Sequence, residues 1–259
     1  MTLHKPLKKY GQNYLVDNNI IDKIVKEFDI KKNDKVLEIG PGEGALTSKL
    51  IKLTNNLTIV EIDARKIEML KAKFSAAEII NEDFLKINLN DFFENEVINV
   101  IGNIPYNITS PIFYKLIENR KNISQALLMV QYEVAKKITA EKGTKDYGIL
   151  NVILNYFCDV KFCFKISPNV FYPKPKVFSA IINLKFDKSL NTNIDEELFI
   201  NLVKSSFGNR RKNLKNSLSN TIFGNYDFAE ADEYLKLRAE QLDVGDFIKL
   251  TQIAQKQYG

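Results

Sequence analysis

Tryptophan is absent from the 259 residues, histidine occurs once and cysteine twice. The two thiols, Cys158 and Cys163, stand five positions apart. On one strand that spacing separates them by roughly 16 Å, and a disulfide needs Cα atoms within about 7 Å. The sequence therefore predicts two unbridged thiols, in or beside the core. His4 lies in a polar N-terminal segment, so a Cys/His zinc centre lacks ligands and no metal is expected. No apolar run approaches the roughly 18 residues of a membrane span. The start, Met1 to Pro6, carries basic residues but no apolar signal core. A soluble cytoplasmic protein with no membrane partner is expected. The missing tryptophan, beside abundant lysine, asparagine and isoleucine, is a compositional habit without functional meaning.

What is present bounds the class. Apolar residues make up 45%, enough for a sizeable core. The length allows one large domain, or a large one with a small one. Lysine and arginine number 37 against 32 acids, a net +5. So small an excess matters to an anionic partner only where it is clustered.

Along the chain, Lys5 to Leu15 interleaves Lys5, Lys8 and Lys9 with Tyr10 and Tyr14. It reads as a solvated arm or as an arm touching cofactor and nucleic acid. Asp17 then stands as a cap before Ile20, Ile21, Ile24, Val25 and Phe28, a helical spacing. Asp34 to Ile39 reads as a strand, Gly40-Pro41-Gly42-Glu43-Gly44 as a loop, and Ala45 to Ile51 as a helix. Further strands are read at Leu57–Asp63, Glu78–Asn81, Val97–Ile101 and Ala126–Val130, with a helix from about Tyr132 to Glu141. Later strand-like runs cover Val160–Ile166 and Val177–Leu184. Between them the three prolines of Ser167–Lys176 predict a stiff, irregular loop presenting the rings of Phe171 and Tyr172. From Glu196 onward no strand is convincing; helices are expected around Phe199–Phe207, Tyr234–Arg238 and Phe247–Ala254. The expected organisation is an α/β domain over residues 1–187 with a basic arm, then a small all-α domain over residues 188–259.

Strand, glycine loop and helix form a nucleotide-binding arrangement. A dinucleotide dehydrogenase or a structural turn is the competing reading. Gly40-x-Gly42-x-Gly44 lacks the longer G-x-G-x-x-G spacing of dinucleotide folds. It suits a ligand without phosphate, such as S-adenosylmethionine. Glu61 lies 21 positions after Gly40, where a carboxylate can accept two ribose hydroxyls, and Asp83 ends the next strand. The following strand ends in Asn103-Ile104-Pro105-Tyr106. An aromatic amino group is a poor nucleophile because its lone pair is delocalised. Two acceptors, the Asn103 side-chain oxygen and the Ile104 carbonyl, would hold its hydrogens and turn the lone pair towards a methyl donor, with Tyr106 stacked on the ring. A bare Asn-Pro turn beside a packed tyrosine is the alternative.

These stretches resemble the ribosomal RNA adenine dimethyltransferase family. Asn103-Ile104-Pro105-Tyr106-Asn107-Ile108-Thr109-Ser110-Pro111 is similar to its catalytic motif, Tyr10-Gly11-Gln12-Asn13-Tyr14-Leu15 to its N-terminal signature, and Glu38–Gly44 to its cofactor loop. Phe171–Ala180 is similar to its second aromatic loop. The likeness runs along nearly the whole chain, with minor departures at Tyr14, Gly208 and Asn209. It implies a Rossmann-like S-adenosylmethionine-dependent methyltransferase sheet with helices on both faces, yielding S-adenosylhomocysteine. It carries over Asn13, Leu15, Gly40, Gly42, Glu61, Ile62, Asp83 and Asn103 as cofactor contacts. It also implies Phe171 as the ring opposite Tyr106, closing on an adenine taken out of its stack.

Two branches share those motifs. The KsgA type modifies two adjacent adenosines near the 3′ end of small-subunit rRNA; the Erm type modifies large-subunit rRNA. Phe207–Leu218 and Arg238-Ala239-Glu240 resemble the former. Arg210, Arg211, Lys212 and Lys215 then read as a phosphate-binding helix face rather than a merely solvated one. The expected partner is rRNA within a small-subunit precursor, bound by a monomer. A ribosome-assembly factor acting mainly by binding is a rival of another class. DNA adenine and protein glutamine methylases also use Asn-x-Pro-Tyr, without the arginine-rich run.

Overall fold

The structure is a computed structural model that describes residues 6–7, 11–93, 96–190 and 193–257. His4, Lys5, Lys8, Lys9 and Tyr10 of the expected basic arm lie outside the described residues. In chain order the elements begin with β1 (Tyr14–Leu15), α1 (Asn18–Phe28), β2 (Lys35–Ile39), α2 (Thr47–Leu50), β3 (Asn56–Val60), α3 (Ile67–Lys73) and β4 (Glu78–Ile80). Then come α4 (Asn90–Phe93), β5 (Ile98–Asn103), α5 (Thr109–Glu118), β6 (Ile123–Gln131), α6 (Tyr132–Ile138) and α7 (Ile149–Phe157). The rest are β7 (Asp159–Ile166), β8 (Phe171–Tyr172), β9 (Ser179–Lys185), α8 (Glu196–Phe207), α9 (Leu214–Leu218), α10 (Asp232–Leu235) and α11 (Val244–Gln255).

Local chemistry sets these boundaries. The Asp17 carboxylate accepts from the Asn19 and Ile20 amides and starts α1. Its buried stripe is Ile21, Ile24, Val25 and Phe28, and it stops at Asp29 in the left-handed region, φ 47°. β2, β5 and β6 are near-continuous apolar runs because parallel strands are covered on both faces.

Seven strands form one sheet in the order β4-β3-β2-β5-β6-β9-β7. β4 through β6 pair in parallel, and β9 returns antiparallel against β6. The winding reverses between β2 and β5, where Ile39 is level with Gly102. Ligands of open α/β sheets sit at that switch point, beyond the carboxyl ends of the strands.

The chain packs as two compact units. The first holds the described residues up to Ala135 together with Val160–Asp187, and so contains the whole switch point. The second joins Lys136–Asp159 to the residues from Lys188 on. The expected division at residue 187 placed Lys136–Asp159 with the sheet, whereas the helix α7 packs among the later helices. Its Tyr156 ring lies 4.4 Å from that of Phe199 on α8, and Phe207 stacks on Phe247 of α11 at 6.0 Å. The helix expected to reach Glu141 ends at Ile138, where the buried Asn151 amide donates to the carbonyls of Ile138 and Ala140. The proline window is less irregular than expected. Pro168 opens a single 3₁₀ turn, where its missing N–H costs nothing, and β8 then pairs antiparallel with β1.

Candidate active site

Gly102 lets β5 press close to β2: a Cβ there would meet the Ile39 carbonyl at 2.9 Å. The next residue, Asn103, ends the strand at the switch point. Its Nδ2 donates to the Asn13 carbonyl at 2.8 Å. With one amide hydrogen committed there, the orientation of the amide is set and Oδ1 is left as an acceptor on a residue that lines the cavity. The Ile104 carbonyl accepts no hydrogen bond among the described residues. Pro105 then turns the chain, and Tyr106–Ile108 form a 3₁₀ turn held by Ile108 N–H to the Pro105 carbonyl. The Tyr106 hydroxyl is 2.7 Å from Oγ of the buried Ser179 on β9, which anchors the tip of the side chain. Burial raises the Tyr106 pKa, so the phenol stays neutral and is no base near pH 7. The expected pair of acceptors and the ring are thus brought together.

The glycine loop faces them across a cavity of about 330 Å³. Gly44 sits at φ +82°, and a Cβ there would lie 2.3 Å from the Phe74 ring. Asn13, Leu15, Gly40, Gly42, Glu61, Ile62, Asp83 and Asn103 all line this cavity. Asp83 spends one carboxylate oxygen on the Leu85 N–H, and its other oxygen accepts nothing among the described residues. Ile62 is 42% exposed, an apolar side chain left open at the mouth of the cavity.

Glu61 is buried, and its two oxygens accept from the Asp63 amide at 2.9 Å and the Gly42 amide at 3.3 Å. Burial pushes its pKa up; Lys66 and the two amides oppose the rise. Asp63 is held well below the usual carboxylate range by Arg65, with Gln12 adding a 3.1 Å hydrogen bond. Gln12 also accepts from the Tyr14 hydroxyl, so the strand β1 is tied to the end of β3. Behind the loop, Glu38 is fully enclosed and accepts from the Thr47 hydroxyl at 2.6 Å; burial raises its pKa to about 7. Gln12 and Tyr14 stand inside the quoted N-terminal signature but carried no assigned role. Lys66 had no signal at all in the sequence.

Two expectations fare differently. Phe171 is 4% exposed, paired with Leu15 and packed in the core, and it does not line the cavity. The ring of that loop which reaches solvent is Tyr172, 54% exposed. In the helical unit, Arg210–Lys212 form a turn between α8 and α9, and only Lys215 stands on a helix. Arg210 is engaged within that unit, donating to the Tyr147 carbonyl and to Glu240, each at 3.0 Å. Arg211, Lys212 and Lys215 are exposed.

A sequence profile described as "Ribosomal RNA adenine dimethylase" matches residues 3–256. The chain belongs to the ribosomal RNA adenine dimethylase family. Its relatives include a "Ribosomal RNA small subunit methyltransferase A" of Chlorobium phaeobacteroides, 44% identical and covering 94% of this chain and 91% of the relative. One of the same name from Francisella tularensis subsp. novicida is 44% identical over 95% and 96%. Among solved structures, a dimethyladenosine transferase from Plasmodium falciparum superposes with TM-score 0.81 at 29% identity, covering 94% and 98%. The 23S rRNA methyltransferase ErmE gives 0.69 at 27%, covering 92% and 99%. The sheet is the Rossmann-like sheet of such methyltransferases.

As an adenine dimethylase, the chain draws its methyl group from S-adenosylmethionine. The donor set fits a phosphate-free nucleoside ligand: carboxylates for hydroxyls and an amino group at Glu61 and Asp83, an apolar side chain at Ile62, and a close backbone approach at the glycine loop.

Proposed function

We propose that the protein transfers methyl groups from S-adenosylmethionine to N6 of two adjacent adenosines near the 3′ end of small-subunit rRNA. The observation that carries the reading is the Asn103 amide, whose nitrogen is spent on Asn13 so that its oxygen and the Ile104 carbonyl form a pair of acceptors. The name borne by the relatives from Chlorobium and Francisella supports the small subunit as the source of the RNA.

The bound cofactor supplies an electrophilic methyl on a sulfonium. The chain does the rest. Glu61 accepts the ribose hydroxyls, Asp83 accepts the purine amino group, and Ile62 packs on the purine. Asn103 and Ile104 accept the two N6 hydrogens of the target and hold its nitrogen in line, where orientation supplies much of the rate. Tyr106 stacks on the target base, a contact worth about 1–3 kcal/mol. Phe171 serves as the opposite ring only by turning out of the core it occupies here. Arg211, Lys212 and Lys215 meet RNA phosphates. The protein acts in the cytoplasm, as a monomer, on a precursor of the small subunit.

Radiolabelled methyl transfer to undermethylated small subunits, with digestion to nucleosides, tests this. N6,N6-dimethyladenosine in small-subunit RNA is expected. Label only in large-subunit RNA would overturn the choice of substrate.

A further inference from the structure

Lys66 is 1% exposed, a degree of burial that lysine almost never reaches unless it is paired. It ends the 3₁₀ turn Ala64–Lys66 that follows β3, and its side chain runs back into the cavity wall. The ammonium lies 3.7 Å from Glu61 Oε2 and 4.5 Å from the centroid of the Tyr14 ring. A Cβ on Gly42 would be 4.0 Å from it. Burial itself disfavours the ammonium, and the nearby Glu61 carboxylate opposes that.

We propose that Lys66 is a positioning residue for the ribose of the cofactor: its buried ammonium keeps the Glu61 carboxylate ionised and aimed into the cavity, so that both oxygens remain acceptors. The inference rests on the reading that Glu61 binds the ribose. A protonated carboxyl carries a donor and loses half of its accepting capacity. Enclosed as it is, Glu61 would otherwise favour that form, and the two backbone amides it accepts from are neutral donors. Other charges nearby do not substitute for Lys66. Asp63, Glu43 and Glu38 are acids; Asp63 is engaged by Arg65, whose guanidinium lies 2.6 Å from that carboxylate. Tyr14, from β1, is held neutral by burial together with Glu43, Asp63 and Glu61. The Tyr14 ring over the ammonium supplies the partial negative face that a desolvated cation needs.

A purely structural ion pair is often replaced by apolar groups at little cost. The functional reading predicts something else. S-adenosylhomocysteine binding to the apo protein is measured by calorimetry from pH 6.5 to 9, for wild type, Lys66→Met, Glu61→Gln and the double variant, with thermal melts confirming folding. Wild-type affinity is expected to be flat with pH. Lys66→Met is expected to lose roughly tenfold near neutrality and to recover as Glu61 ionises at higher pH. Glu61→Gln is weak and flat, and adding Lys66→Met to it costs nothing further. Lys66→Gln, neutral and similar in length, repeats the series where methionine is not accommodated. A Lys66→Met protein binding like wild type at every pH overturns the proposal, as does a loss that adds in full to that of Glu61→Gln. If Glu61→Gln itself binds like wild type, the ribose assignment falls, and this inference with it.

Discussion

Asn103–Asn107 and Arg210–Lys215 are both short, motif-dense stretches, and the chain treats them oppositely. The first is clamped at each end by residues far away in sequence: Asn103 by the Asn13 carbonyl, Tyr106 by Ser179. The second is held at Arg210 by Tyr147 and Glu240, while Arg211, Lys212 and Lys215 stand out in solvent. Chemistry on a single nitrogen needs two acceptors placed to within a fraction of an ångström. A phosphate backbone needs only mobile positive charge within reach. One arginine of the basic run has been taken over to build the unit that presents the others.

That contrast can be broken by four measurements. Asn103→Ala is expected to lower single-turnover methyl transfer by about 10²–10³, the scale of losing a preorganised polar partner, with subunit binding largely kept. Retained turnover would remove Asn103 from its role. The next effect tests how firmly the strand behind the glycine loop is held. The Glu38 carboxyl keeps its proton in the folded chain up to about pH 7, against about 4.5 unfolded. The folded state then binds more protons across that window, so this group makes stability fall as pH rises from about 4.5 to 7 and stay level above. Glu38→Gln is expected to abolish that fall, so that its stability relative to wild type rises by on the order of 3 kcal/mol between pH 4.5 and 8 in urea denaturation.

Replacing Arg211, Lys212 and Lys215 together by glutamine should weaken rRNA binding and leave cofactor affinity unchanged. The slope of log affinity against log salt should flatten by about 0.7–0.9 for each phosphate no longer neutralised. An unaltered slope would return the run to a solvated face. Smallest is Arg210→Met, expected to lower stability by about 1 kcal/mol with little change in salt slope. If it instead behaved like the triple variant, the division between the two stretches would be wrong.

Much of the cofactor side was legible because its signals are local. Apolar runs ended by glycine or acid gave the strands, and Glu61, Asp83 and Asn103 followed as strand ends, while Ile62 came only with the family resemblance. Asp17 was legible for the same reason, as a cap needs only its own helix. What escaped depended on partners distant in sequence. Ile149–Phe157 is a short, mostly apolar run with three β-branched residues, so its period does not separate helix from strand, and only packing against α8 decides. Phe171 was expected in the cavity from its loop, but pairing with Leu15 turns it into the core. Arg210 looked like its basic neighbours until Glu240, thirty positions on, claimed it. A lysine at position 66 looks like any surface lysine until the fold closes over it.

The bond from Asn103 to the Asn13 carbonyl has a consequence for polarity. A primary amide is nearly symmetric in shape but opposite in sense at its two ends. Cut away from the arm, Asn103 could rotate by half a turn and offer hydrogens where the reaction needs lone pairs. The few residues around Asn13 act as a key that sets the side chain one way round. A chain shortened to begin just after them would keep its sheet, its glycine loop and its Asn-x-Pro-Tyr, yet nothing in that arm would hold the amide with its oxygen towards an amino group.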